Sequence, residues 1–208
     1  IQEDIEFANL GLVVVDEQHR LGVRQRAVLK GKGMAAHYLV MTATPIPRTL
    51  ALSYFADFDV SVLDELPPGR QPIETRWLRQ REAQKAYDFV RQQVQRGRQA
   101  YVVLPRIDDD GLDDSKSVLK ENKRLAEGPL AGLRLGLLHG QMSTDEKQAV
   151  MTAFRDGQTD VLVATTVIEV GIDVPNATVM VIDNAERFGL SQLHQLRGRV
   201  GRGSEKSY

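Results

Sequence analysis

The chain contains no cysteine. Disulfides and thiolate zinc sites are therefore excluded, which fits a reducing compartment. No apolar run approaches the length of a membrane span. The opening Ile1-Gln-Glu-Asp4 has neither a basic region nor a signal-like apolar core. It also lacks an initiator methionine, and the ending Lys206-Ser-Tyr208 is abrupt, so the sequence reads as a piece of a longer protein. An excess of one sign of charge is missing too. A net charge of −1 excludes a general polycation, so any nucleic-acid contact must come from local placement of arginine and lysine. No short-period repeat or low-complexity tract is visible. The glycine-rich phosphate cradle of nucleotide motors, Gly-x-x-x-x-Gly-Lys-Ser/Thr, does not occur; Gly31-Lys-Gly33 lacks the preceding glycine and the following hydroxyl.

What is present, over 208 residues, is enough to bury one large core or two modest ones. Apolar runs alternate with stretches of helical period. Strands are predicted at 11–15, 37–42, 73–78, 99–104, 133–138, 161–164 and 178–182, and helices at 82–96, 118–127, 143–154 and 191–196. A helix running through Leu29 and another opened by Pro47 belong to the first part. Ser143-Thr-Asp-Glu146 is a capping box, and Gly97 and Gly157 are helix stops. This order is that of parallel sheets with helices on both faces, an α/β fold. Leu66-Pro-Pro-Gly-Arg70 can continue neither kind of ladder and divides residues 1–66 from 67–208. The first part supplies two strands, too few for a doubly wound sheet, and reads as the second half of a domain with an open sheet edge. Asp108 to Asp114 is acidic, but it lacks the spacing and terminal glutamate of a calcium loop and reads as a solvated loop.

The chemistry gathers at strand ends. Gly11-Leu-Val-Val-Val15 reads as a strand buried on both faces that breaks into Asp16-Glu-Gln-His19 at its C-terminal edge, where open parallel sheets bind ligands. An aspartate there can ligate Mg²⁺ on a nucleotide, and the glutamate beside it can orient or deprotonate an attacking water. A strand ending in a solvated charged turn is the simpler alternative. The other polar strand ends are Thr42-Ala-Thr44, His139-Gly140, Thr165-Thr166 and, after Gln195, the segment Arg197-Gly-Arg-Val-Gly-Arg-Gly203. Threonines at a strand end before a helix suit a phosphate and also serve as ordinary caps.

In their order and spacing these stretches resemble the motifs of superfamily 2 helicases. Asp16 to His19 matches motif II and Thr42 to Thr44 motif III. Ala164 to Asp173 matches motif V, and Gln195-Leu-Arg-Gly-Arg-Val-Gly-Arg202 motif VI. The phrases Met41-Thr-Ala-Thr-Pro-Ile-Pro-Arg48 and Asp64-Glu-Leu-Pro-Pro-Gly-Arg70 are similar to the branch of that superfamily acting on branched DNA. Transcription-repair coupling translocases are close, with a second glutamate where this chain has Gln18. Leu21 stands where both would have phenylalanine.

The resemblance covers essentially the whole chain and implies the C-terminal half of one RecA-like motor lobe plus most of a second. It implies a bacterial cytoplasmic enzyme that hydrolyses ATP with Mg²⁺ to remodel branched double-stranded DNA in recombination and repair. Asp16 would hold Mg²⁺ through water and Glu17 would activate the hydrolytic water. Gln18 and His19 would bridge to Thr42 and Thr44, coupling hydrolysis to movement. Arg199 and Arg202 would be arginine fingers oriented by Gln195, with Gly171 and Asp173 near the sugar. Thr165, Thr166 and His139 would line the DNA groove. Without the phosphate loop, this piece alone is expected to be inactive or to serve only as a nucleic-acid-binding module.

Overall fold

The computed structural model describes residues 5–17, 31, 36–42, 59–65, 70–105, 114–165 and 173–208, with the side chains of 114–117 left aside. The predicted helices around Leu29 and after Pro47, and the acidic loop before Asp114, lie outside these residues, apart from Gly31. The chain divides into two compact units, 1–62 and 63–208. The division falls four residues before the expected boundary.

In the first unit, β1 (Leu12–Val15) and β2 (His37–Val40) pair in parallel, Val13 opposite Tyr38 and Val15 opposite Val40. Val13 and Val15 are buried, but Leu12 and Val14 are 56% and 53% exposed. The expectation of a strand buried on both faces is therefore corrected. The β-branched run makes the strand, but only one face is covered among the described residues.

In the second unit, four strands form an all-parallel sheet in the order β4-β5-β3-β6: β3 is Gln99–Val103, β4 Leu135–Leu138, β5 Val161–Ala164 and β6 Ala177–Ile182. The central pair β3 and β5 is buried at every position. Their side chains alternate between two cores as the pleat requires. Ala100, Val102, Val161 and Val163 meet Tyr87 and Val90 of α1 (Ala83–Gln95) and Val118 and Leu125 of α2 (Asp114–Glu127). On the opposite face, Tyr101, Val103, Leu162 and Ala164 meet Met151 and Phe154 of α3 (Thr144–Arg155) and Leu196 of α4 (Leu190–Arg197). Helices thus cover both faces, as the alternation of elements predicts.

Local signals set the helix ends. Ser143 caps α3 by accepting the Glu146 N–H at 3.2 Å, and the Glu146 carboxylate accepts the Ser143 N–H at 2.7 Å. Gly97 and Gly157 take φ of +80° and +72° after their helices, as the stop assignments require. The stretch 73–78 is extended but is not a strand. Its one inter-segment main-chain bond, among those seen, runs from Glu74 N–H to the Ser207 carbonyl at 2.9 Å. An alternating pattern specifies a pleat but cannot supply the neighbour that makes a ladder.

Candidate active site and nucleic-acid edge

At the end of β1 the main chain does something that alternation does not predict. Glu17 takes φ of +50°, the left-handed region that L side chains seldom adopt, while its N–H donates to Asp16 Oδ1 at 2.9 Å. Such a conformation costs on the order of 1–3 kcal/mol and clusters where a side chain must be aimed. Asp16 is exposed and Glu17 half-buried. No cluster of three or more histidine, cysteine or acidic side chains fit to hold a metal occurs among the described residues. Asp16 presents a carboxylate, a hard oxygen donor of the kind Mg²⁺ accepts. Thr42 is exposed just beyond β2. Gln18, His19 and Thr44 lie outside the described residues, so the coupling between them is not visible.

In the second unit the structure brings the motif V aspartate to a motif VI arginine. Arg202 Nη1 lies 3.6 Å from Asp173 Oδ1, and its Nε donates to the Gly198 carbonyl at 3.2 Å. The segment presenting it is built from small parts. Gly198 ends α4, with its N–H donating to the His194 carbonyl at 3.1 Å. Val200 is then driven into the core at 1% exposure, and Gly201 turns with φ of +73°. Arg199 and Arg202 thus flank a buried anchor. Gln195 is half-buried on α4. Gly171 lies outside the described residues.

The motif reading passed over two residues, of which Tyr101 lies by this group. Tyr101, inside β3, is 2% exposed, and burial pushes its phenol up to about 12, opposed by the nearby guanidiniums of Arg199 and Arg202. A tyrosine in the middle of the apolar run Ala100–Val103 was the available signal. Asp183 follows β6 at the same C-terminal edge; its N–H donates to the Val103 carbonyl at 2.9 Å, and burial raises its carboxyl above the usual carboxylate range.

Thr165 and His139 stand side by side at that edge, since the residues before them, Ala164 and Leu138, are register partners in β5 and β4. The Thr165 N–H donates to the Leu138 carbonyl at 3.2 Å. Thr165 is fully buried and its hydroxyl has no hydrogen-bond partner; the half-buried His139 ring likewise holds an enclosed Nδ1 without one. Two enclosed, unsatisfied polar atoms at adjacent strand ends are uncommon. Thr166 lies outside the described residues.

With this geometry in place, the comparisons with known proteins are informative. Residues 82–204 match the helicase conserved C-terminal domain. Across all 208 residues the chain is 59% identical to the ATP-dependent DNA helicase RecG of Synechocystis and 53% identical to that of Thermotoga maritima. It spans 25% and 27% of their lengths. A solved structure of RecG bound to a three-way DNA junction matches 99% of this chain at 50% identity with a TM-score of 0.74, over 26% of its own chain. Yeast Dbp5 bound to RNA and ADP BeF3, at 17% identity and a TM-score of 0.58, covers 95% of this chain and 51% of its own, and shows the fold alone. The parallel sheets flanked by helices are thus of the RecA-like helicase kind. Alike along its whole length to the RecG helicases, the chain belongs to the family of the helicase conserved C-terminal domain.

Proposed function

We propose that this chain is the catalytic acid and arginine-bearing portion of an ATP-dependent DNA helicase that remodels branched DNA, such as stalled forks and Holliday junctions, in the bacterial cytoplasm. Residues 1–66 are read as the C-terminal half of the first motor lobe and 67–208 as most of the second. The observation that carries this reading is the similarity of the whole chain to part of RecG, one of whose solved structures holds a three-way DNA junction.

Each residue takes a role from its chemistry. Asp16 would hold Mg²⁺, which would supply charge neutralisation for the phosphates when bound. Glu17 accepts the proton of the attacking water, and its left-handed backbone aims the carboxylate. Gln18 and His19, with Thr42 and Thr44, relay the state of the nucleotide to movement. Arg199 and Arg202 stabilise charge developing on the phosphoryl group, an effect worth roughly 10³ to 10⁵ in rate for arginine fingers. Gln195 steadies them, and Asp173 and Gly171 sit by the sugar. The Asp173–Arg202 pair supports this grouping of motifs V and VI. Thr165, Thr166 and His139 contact the backbone of the tracked strand. Such contacts position DNA without reading its sequence, so selectivity is for junction shape. No phosphate loop of the Gly-x-x-x-x-Gly-Lys-Ser/Thr kind is present in these 208 residues, so the isolated chain is expected not to turn over ATP.

The test is ATP hydrolysis by the intact protein with and without a three-way junction. Stimulation by the junction, its loss in Glu17→Gln, and loss of turnover with retained ATP binding in Arg202→Ala are the expected results. Normal turnover in either variant would overturn the assignment of that residue.

A further inference from the structure

We propose that residues 71–76, in the early part of the second unit, form a positioning strap for the arginine segment, with Ile73 and Glu74 holding the backbone from which Arg199 and Arg202 project. The proposal rests on the ATPase reading above for its consequence, but on contacts within the second unit for its geometry.

The arginine segment is an irregular stretch punctuated by glycines, with no ladder of its own to stiffen it. Contacts with the entering strap fall on both sides of Arg202. Before it, the Gly201 main chain lies directly against Ile73: a Cβ on Gly201 would stand 3.0 Å from Ile73 Cγ1 and 3.2 Å from its Cδ1. Ile73 packs in turn on the core cluster containing Val200 and Leu196. After Arg202, Gln71 Nε2 donates to the Ser204 carbonyl at 2.9 Å, and the Glu74 N–H donates to the carbonyl of buried Ser207 at 2.9 Å. Lys206 Nζ closes on Glu74 Oε2 at 2.7 Å. Lys206, with Arg76, holds the Glu74 carboxyl below the usual carboxylate range. An arginine finger works only where its guanidinium meets the developing charge, and misplacement on the order of 1 Å costs up to about 10²-fold in rate. A strap gripping the backbone one residue before Arg202 and again from two residues after it supplies that constraint. Ile73 and Glu74 act through Arg199 and Arg202 and touch no substrate themselves.

Two measurements test this. In the intact protein, Glu74→Lys and Lys206→Glu are each expected to lower kcat for ATP by about three- to fivefold, the scale of one exposed ion pair, with KM unchanged. The double reversal is expected to restore it, and the fall confined to kcat separates positioning from a loss of folded protein. Ile73→Ala is expected to lower kcat by about tenfold at unchanged KM. In the 208-residue chain itself, hydrogen exchange is expected to show the Glu74 amide protected in the parent and less protected in Ile73→Ala. An unprotected Glu74 amide in the parent overturns the strap, as does a kcat unaltered in Ile73→Ala or a double reversal that fails to recover. If the intact protein hydrolyses no ATP, the ATPase reading fails instead, and the exchange measurement still decides whether the strap exists.

Discussion

Tyr101 is a buried phenol of the second unit. Its phenol is pushed by burial from an ordinary 10.0 up to about 12. A folded-state pKa above the unfolded value means that the folded chain holds the proton through that interval. The associated stability is present below pH 10 and is lost as pH rises from 10 toward about 12. Tyr101→Phe is expected to flatten the fall in urea-unfolding free energy across that interval relative to the parent. Asp183 has the same sign for the same reason. Burial is the first cause, and it disfavours the carboxylate in the folded state, so the parent loses stability as pH rises through the carboxyl's titration. Asp183→Asn keeps an oxygen to accept the Asn184 N–H at 3.0 Å and is expected to raise the melting temperature at pH 7. That gain is expected to vanish below the ordinary carboxylate pKa of 3.8, where the acid is neutral in both states.

Elements in this protein follow their local signals wherever those signals are self-contained. The Ser143 capping box satisfies its donors without help from elsewhere, so Ser143→Ala is expected to cost about 1 kcal/mol in denaturant unfolding, and Ser143→Asn much less. The helix 82–96 resolves into a 3₁₀ turn, Gln80–Glu82, followed by α1. The helix 118–127 begins four residues earlier than expected, at Asp114, and the 3₁₀ turn Ala185–Arg187 was not foreseen. The misplaced strand at 73–78 failed for a different reason. Its alternating residues are used, with Ile73 on the core, but β6 receives Tyr208 beside it instead: Tyr208 N–H donates to the Thr178 carbonyl at 2.8 Å and the Met180 N–H to the Tyr208 carbonyl at 2.9 Å. Strand pairing depends on which segments arrive together, and no single stretch encodes that.

At the scale of the whole chain, the second unit carries a sheet with both faces covered by its own helices, and both cores are internal to it. Residues 63–208 expressed alone are therefore expected to unfold in one cooperative transition. Phe154→Ala, at a fully buried side chain, is expected to remove about 3–5 kcal/mol from that transition. A broad, multistep urea curve for the parent unit would contradict this. No helix among the described residues is long and apolar enough to cross a membrane, in line with the absence of long apolar runs.

All six strands were legible to within two residues at each end, because burial on a pleat or a helix face leaves its period in the order of the residues. The motif residues were likewise readable one by one. Asp16, Glu17, Thr165, Arg199 and Arg202 all stand next to strands or glycines that announce an abrupt turn. What no stretch could reveal was adjacency. Asp173 and Arg202 are 29 positions apart in the chain and meet at 3.6 Å only because α4 and the turn at Gly201 carry the arginine back over the sheet. The same holds for Tyr101 beneath the guanidiniums and for Glu74 against Lys206. Propensity and period act over a few residues, and these neighbours are chosen by packing over the entire unit. The sequence determined the elements and the chemistry at their ends; the tertiary structure decided which of those ends face one another.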